Sequence, residues 1–200
     1  MSGLRQKQKE LRREAILEAA LGLFETQGFN ATTVEQIAGQ VGVSTPTVFN
    51  YFGTKQDILL ALMERADQRA LSDSREQMPA FDNAVDAMCH LESRIIRREL
   101  EALPAAIWRE LLPLGLLTPR PEAASHLNRR LIDEVAELLR ELQGRGLLKA
   151  SFDVAFVAEF LNDYSSTLFM RLVQDDVPDL EAHERRIRKL TQTLVDGLGV

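Results

Sequence analysis

Between Thr32 and Asn50 the chain gathers Thr32, Thr33, Ser44, Thr45, Thr47 and Asn50, with Glu35 the one charged residue among them. Neutral hydroxyls and a carboxamide, with no histidine, cysteine or paired carboxylate beside them, do not make or break bonds. Their chemistry is recognition: they donate and accept hydrogen bonds, and threonine adds a methyl group. Threonine can meet a thymine methyl and asparagine can pair with adenine, so Thr45, Thr47 and Asn50 are the candidates for base edges. Thr32 and Thr33, with the amides of the helix they begin, can grip a phosphate. Ser44 has two readings, a DNA contact or a helix cap alone. The stretch holds no arginine, which argues against guanine recognition by a bidentate guanidinium.

Such side chains read a ligand only if short elements hold them. Thr33 followed three residues later by Gln36 is a capping box that opens a helix. Val34, Ile37, Ala38 and Val41 then share one face, and Gly42 suits the left-handed backbone of a helix end. Ser44 caps the next helix, with Pro46 in its first turn where a missing amide costs little. Val48, Phe49 and Phe52 give that helix a buried side; Ser44, Thr45, Thr47, Asn50 and Tyr51 are left for the other. Two short helices joined by a Gly-containing turn form a helix-turn-helix, whose second helix enters the DNA major groove. Ahead of them, Ile16, Ala19, Ala20, Leu23 and Phe24 predict a helix from Lys9 to Thr26, ended by Gly28, with Phe29 folded back beneath it. Residues 1–8 are expected as a mobile arm, either frayed or touching DNA.

From Thr33 to Ile58 the sequence follows the pattern T-x-x-x-I-A-x-x-x-G-V-S-x-x-x-[VLI]-[YF]-x-[YH]-F-x-x-K-x-x-[IL]. In these residues the chain resembles the tetracycline-repressor (TetR) family of bacterial transcriptional regulators. The resemblance is close over roughly the first 60 residues and rests on length and helical pattern beyond them. It implies phosphate contacts for Tyr51 and Lys55. Phe49 stands where the family more often has tyrosine, so a hydroxyl that could reach a phosphate is missing. Pro46 lies inside the reading helix and narrows how that helix can begin.

The net charge of −6 is unevenly spread. Residues 1–60 carry Arg5, Lys7, Lys9, Arg12, Arg13 and Lys55 against an equal number of acids, so the rest of the chain holds the whole deficit. A basic start, a neutral reading head and an acidic body are compatible with DNA binding, with weak non-specific affinity because few phosphates are neutralised. No apolar run approaches the roughly 20 residues of a membrane span, and the start is polar rather than leader-like. One cysteine leaves no internal disulfide and fits a reducing cytoplasm. His90, His126 and His183 lack metal-ligand spacing, Cys89 reads as an inert buried thiol rather than a sensor, and no nucleophile has an evident base. No cofactor is expected, and nothing points to an enzyme.

Thr54 and Asp57 form a second capping box at the head of a long helix, Lys55 to about Arg75. Further helices are expected over Phe81–Leu103, Ala105–Leu112, Glu122–Gln143 and Asp153–Gln174, with a last one starting at Asp176 or Asp179. Pro113, Gly115, Pro119 and Pro121 punctuate a loop. The helix from Asp153 carries two apolar stripes, and a surface helix of a monomer needs only one. This predicts a two-fold interface of Val157, Leu161, Ser165, Leu168 and Leu172 with Ile187, Leu190 and Leu194 of the last helix. The resemblance further implies a small-molecule pocket among the middle helices, with Met63, Phe81, Met88, Cys89, Trp108, Leu112, Leu131, Phe160 and Tyr164 as candidate liners.

The expectation is an all-α chain: a helix-turn-helix DNA-binding domain over 1–54, then a helical ligand-binding and dimerisation domain over 55–200. It would be a cytoplasmic homodimeric repressor that leaves a palindromic operator when an apolar or amphipathic effector binds. The competing reading is a ligand-binding or adaptor helical dimer without specific DNA binding.

Overall fold

Short polar side chains at helix starts divide this chain into its elements. The computed structural model describes the backbone of residues 2–74, 78–110 and 122–198, and the side chains of 3–66, 78–110 and 129–197. Among these residues every regular element is an α-helix: α1 (Ser2–Gln27), α2 (Val34–Val41), α3 (Thr45–Phe52), α4 (Lys55–Ser74), α5 (Ala84–Ala102), α6 (105–110), α7 (Glu122–Gly144), α8 (Val154–Leu172) and α9 (Leu180–Leu198). None is long and apolar enough to cross a membrane. Leu112 and the expected loop at 113–121 lie outside the described residues.

The reading head is built from α1 to α3 and the start of α4. α1 begins at Ser2, so the expected mobile arm is instead a continuation of the helix. It ends at Gly28, whose φ of +84° is open to glycine, and Phe29 returns edge-on to Phe24 with ring centroids 5.2 Å apart. α2 opens on a complete capping box. Thr33 Oγ1 accepts the Gln36 amide at 3.2 Å, and Gln36 Oε1 accepts the Thr33 amide at 2.8 Å. Past Gly42, the Val43 amide reaches back to the Ala38 carbonyl at 3.0 Å and closes the helix end.

The turn from α3 to α4 is tight. Gly53 sits at φ +61°, and a Cβ there would lie 3.0 Å from the Asp57 carboxylate. That carboxylate accepts the Thr54 amide at 2.9 Å, while Thr54 Oγ1 accepts the Asp57 amide at 3.1 Å, completing the second capping box. Arg65 of α4 reaches back to α1, with Nη1 2.5 Å from Glu18 Oε1 and 3.4 Å from Glu14 Oε2.

Two apolar clusters hold the chain together. One contains Ile16, Leu17, Phe24, Ile37, Val48, Ile58 and Leu62 of the head, and extends to Ile96 of α5, Trp108 of α6, and Phe169 and Leu172 of α8. The other lies among α5, α7 and α8, around Leu91, Ile95, Leu138, Leu139, Leu142 and Ala158. Arg109 of α6 caps the end of α8, donating to the carbonyls of Val173 at 2.9 Å and Asp175 at 3.1 Å and to the Asp176 carboxylate at 2.6 Å.

α5 starts at Ala84 rather than Phe81 because Asn83 takes the cap position and accepts the Asp86 amide at 2.8 Å. Polar pins join α5 to α9. Glu184 accepts from Ser93 at 2.7 Å and from Arg97 at 2.6 Å, and Asp86 accepts from Arg188 at 2.7 Å. The Ser93 hydroxyl and the Arg97 guanidinium hold the Glu184 carboxyl below its ordinary 4.5. Asn83 and then Arg188 lower Asp86. A carboxyl lowered by folding contributes stability above its ordinary value, and loses it as pH falls through the lowered one. Glu184→Gln should therefore be less stable than wild type near neutrality by about 0.2–1 kcal/mol, a modest figure because the pair is solvent-screened. The difference should vanish on acidification well below 4.5, as read from thermal unfolding of both proteins across pH.

Candidate nucleic-acid interface

The outer side of α3 presents apolar and neutral-polar side chains. Val48 and Phe52, four residues apart, turn inward and are buried. The Tyr51 ring is half-buried against the head core, 6.4 Å from Phe52. The opposite side carries the half-exposed Thr45 and Thr47 and the exposed Pro46, Phe49 and Asn50.

Phe49 departs from the sequence expectation. Placed with Val48 and Phe52 on the buried side, it is instead 45% exposed. The spacing explains why: adjacent helical residues point about 100° apart, and Phe49 falls with Thr45 and Pro46, four and three residues before it. The Val48–Phe52 pair already defined the inward face, and that signal could have placed Phe49 correctly.

Ser44 holds the N-cap position, but its hydroxyl makes no capping bond. Its carbonyl accepts the Thr47 amide at 2.9 Å, while its Oγ lies 2.8 Å from Thr47 Oγ1. The two hydroxyls thus fix one another at the start of the reading helix.

Thr32 and Lys55 were expected at phosphates, and the structure gives both internal work. Thr32 is 1% exposed. Its hydroxyl donates to the Gly28 carbonyl at 2.8 Å and accepts from Gln27 Nε2 at 3.1 Å, so it locks the α1–α2 corner. Lys55 Nζ donates to the carbonyls of Phe29 at 2.7 Å and Thr32 at 2.8 Å. It also lies 4.3 Å from the Phe29 ring centroid, in cation–π range. A positive charge at the start of α4 opposes that helix's own dipole; two carbonyls and a ring face offset the conflict. Thr33 remains exposed at the head of α2, its hydroxyl engaged in the capping box.

The candidates in the body divide between the two clusters. Met63 and Trp108 belong with the head cluster; Trp108 is buried, donates Nε1–H to the Glu99 carbonyl at 3.2 Å and meets Phe169 edge-on at 5.0 Å. Phe81, Met88 and Leu131 lie against the other cluster, with Phe81 5.1 Å from the His90 ring. Cys89 and Tyr164 are half-buried, and burial pushes the Cys89 thiol up. Phe160, expected inside a pocket, is 42% exposed.

Part of the expected two-fold stripe is taken up by the chain's own fold. Leu168, Leu172 and Ile187 are buried within this chain's own fold, and Val157 and Leu161 pack on the α5–α7–α8 cluster. Ser165 Oγ donates to Glu92 at 2.6 Å, while Leu190 and Leu194 are half-buried. The side of α8 left open carries Phe156, 66% exposed, and Phe160.

Residues 16–62 match the model for bacterial regulatory proteins of the tetR family, and those residues are this head. Over these residues the chain matches the TetR family. It is 34% identical over 121 residues to the HTH-type transcriptional regulator TcmR of Streptomyces glaucescens, covering 58% of this chain and 53% of that one. The chain thus spans about half the length of that relative. It is 29% identical over 194 residues to the HTH-type transcriptional regulator EthR of Mycolicibacterium smegmatis, covering 94% and 86%. The solved structure of Thermus thermophilus FadR, a TetR-family repressor in complex with lauroyl-CoA, aligns with a TM-score of 0.61 at 26% identity over 90% of this chain and 93% of that one.

This head uses Lys55 in a way that a binding assay can read. Lys55→Met should destabilise the head by on the order of 2 kcal/mol, the scale of hydrogen bonds to a charged group. The slope of log affinity against log salt on DNA should stay as in wild type. A lysine bonded to phosphate would instead lower that slope by about 1 on removal.

Proposed function

We propose that the chain is a sequence-specific DNA-binding transcriptional regulator that acts in the cytoplasm as a homodimer on a palindromic operator, and that a small apolar or amphipathic ligand releases it. The observation that carries the DNA reading is the outer side of α3, with Thr45, Thr47 and Asn50 presented on a helix whose other side is fixed in the head core. Two such heads related by a two-fold axis would read half-sites about one helical turn, ~34 Å, apart. Residues 1–54 act as the reading unit and 55–200 as the ligand-binding and dimerising body.

The ligand reading is supported by the lauroyl-CoA held by the Thermus FadR. A route for its action is present in the packing. α5 contributes Ile96 to the head cluster and Leu91 to the other, while α8 contributes Phe169 to the first and Ala158 to the second. A ligand wedged among α5, α7 and α8 would shift helices that also hold the head. A hundredfold preference for one shape supplies about 2.7 kcal/mol of coupling, and the operator must weaken the ligand by the same factor.

The dimer reading is supported by the open side of α8, where Phe156 and Phe160 stand one turn apart. An apolar pair on a helix adjoining α9 suits a four-helix interface between two copies. Phe156→Glu with Phe160→Glu should give a folded monomer in analytical ultracentrifugation; an unchanged dimer would move the interface elsewhere.

The test of the DNA reading is fluorescence anisotropy on a site selected from random duplexes, against scrambled DNA. Thr47→Ala and Asn50→Ala should each lose on the order of 1–3 kcal/mol of specific affinity while the oligomeric state is kept. Affinity equal on selected and scrambled DNA, and abolished by salt, would favour the adaptor dimer instead.

A further inference from the structure

We infer that the reading helix selects its half-site through the 5-methyl groups of thymine, with Phe49 as a specificity-determining residue packed against one of them. This rests on the DNA reading above and adds the chemistry by which the sequence is chosen. α3 carries no charged side chain: it reads Thr45, Pro46, Thr47, Val48, Phe49, Asn50, Tyr51, Phe52. It therefore has neither the cationic fork that takes guanine O6 and N7 nor the carboxylate that takes cytosine N4.

What it does offer is largely apolar. Phe49 is 45% exposed and shares its side of the helix with Thr45 and Pro46. Ser44 and Thr47 spend hydrogen-bonding capacity on each other at 2.8 Å, which leaves the Thr47 γ-methyl as the group with no competing partner. In the major groove the thymine methyl is the one apolar group that a base pair presents. The exposed Asn50 completes the match, because a carboxamide pairs with N6 and N7 of adenine, the partner of thymine. Phe49 with Thr45 on one side of the helix, and Thr47 with Asn50 on the next, are thus complementary to T·A pairs.

Replacing thymine by uracil deletes only the methyl and leaves every hydrogen-bonding group of the pair in place. The experiment takes the full-length protein and the duplex selected from random DNA, and substitutes each thymine of one half-site in turn. Wild type should lose about fourfold in affinity for each methyl it covers, at one or more positions, the scale of one buried methylene-sized group. Phe49→Ala should lose affinity on the all-thymine site and become indifferent to uracil at one of those positions. Sensitivity at positions covered by Thr45 or Thr47 should remain. Phe49→Tyr keeps the ring and should keep the uracil response. Phe49 is a surface residue, and circular dichroism of each variant separates lost contact from lost fold.

Unchanged wild-type affinity for every uracil-substituted duplex would overturn the inference, as would an identical uracil profile in wild type and Phe49→Ala. In both cases the regulator reading survives, since specific binding persists. Selection of no specific site from random DNA would sink that reading itself, a distinguishable outcome.

Discussion

The Lys55 ammonium lies 2.7 Å from the Phe29 carbonyl and 2.8 Å from that of Thr32, above the Phe29 ring. It sits at the first residue of α4 and grips the corner between α1 and α2, so the direction in which α4 leaves the head is tied to the element that starts the helix-turn-helix. Thr32 and Gln27 lock the same corner from inside. Arg65 repeats the tie about three turns further along α4, on Glu14 and Glu18 of α1. Head and α4 are thereby joined at two separated points, which resists hinging between them.

That rigidity shapes how the body can act on the head. The head cluster does not stop at α4 but takes in Ile96, Trp108, Phe169, Leu172 and Val173. Arg109, next to Trp108, fastens the segment just past α8 through backbone carbonyls, so the end of the helix that touches the head is itself anchored. Packed interiors shift between discrete arrangements rather than bending continuously. A displacement of α5 or α8 would thus pass to α4 as a repositioning of the whole head.

Much of this architecture was legible in the sequence where the determining contacts are local. The Thr33–Gln36 and Thr54–Asp57 capping boxes, the glycine ends at Gly28 and Gly42, and the all-helical order depend on residues within one turn of one another. The roles of Thr32 and Lys55 were not, because a lysine bonded to a carbonyl 26 residues earlier leaves no trace in local spacing. Resemblance placed Lys55 at a phosphate; tertiary geometry occupies it internally. The two stripes of α8 were visible, yet periodicity cannot say which stripe its own chain covers. The fold covers Leu168 and Leu172 and leaves Phe156 and Phe160 outside. Phe49 differs for another reason: its residue type suggests the buried side, whereas its angle on the helix sets it about 100° from Val48 and leaves it exposed.

α1 is longer than its packing requires. Residues 3–12 are exposed, and the first buried positions in the helix are Ile16 and Leu17. An isolated segment of that length would be a marginal helix in water, but here it propagates from turns already nucleated on the core, which removes the most costly step. Arg5, Lys7, Lys9 and Arg12 therefore stand along a strut of about 15 Å rather than on a loose tail. A loose tail surrenders roughly 1–2 kcal/mol of backbone freedom for every residue that a partner immobilises. A strut has already given that freedom up in folding, so its charges meet a partner at fixed spacing and with little further loss of entropy.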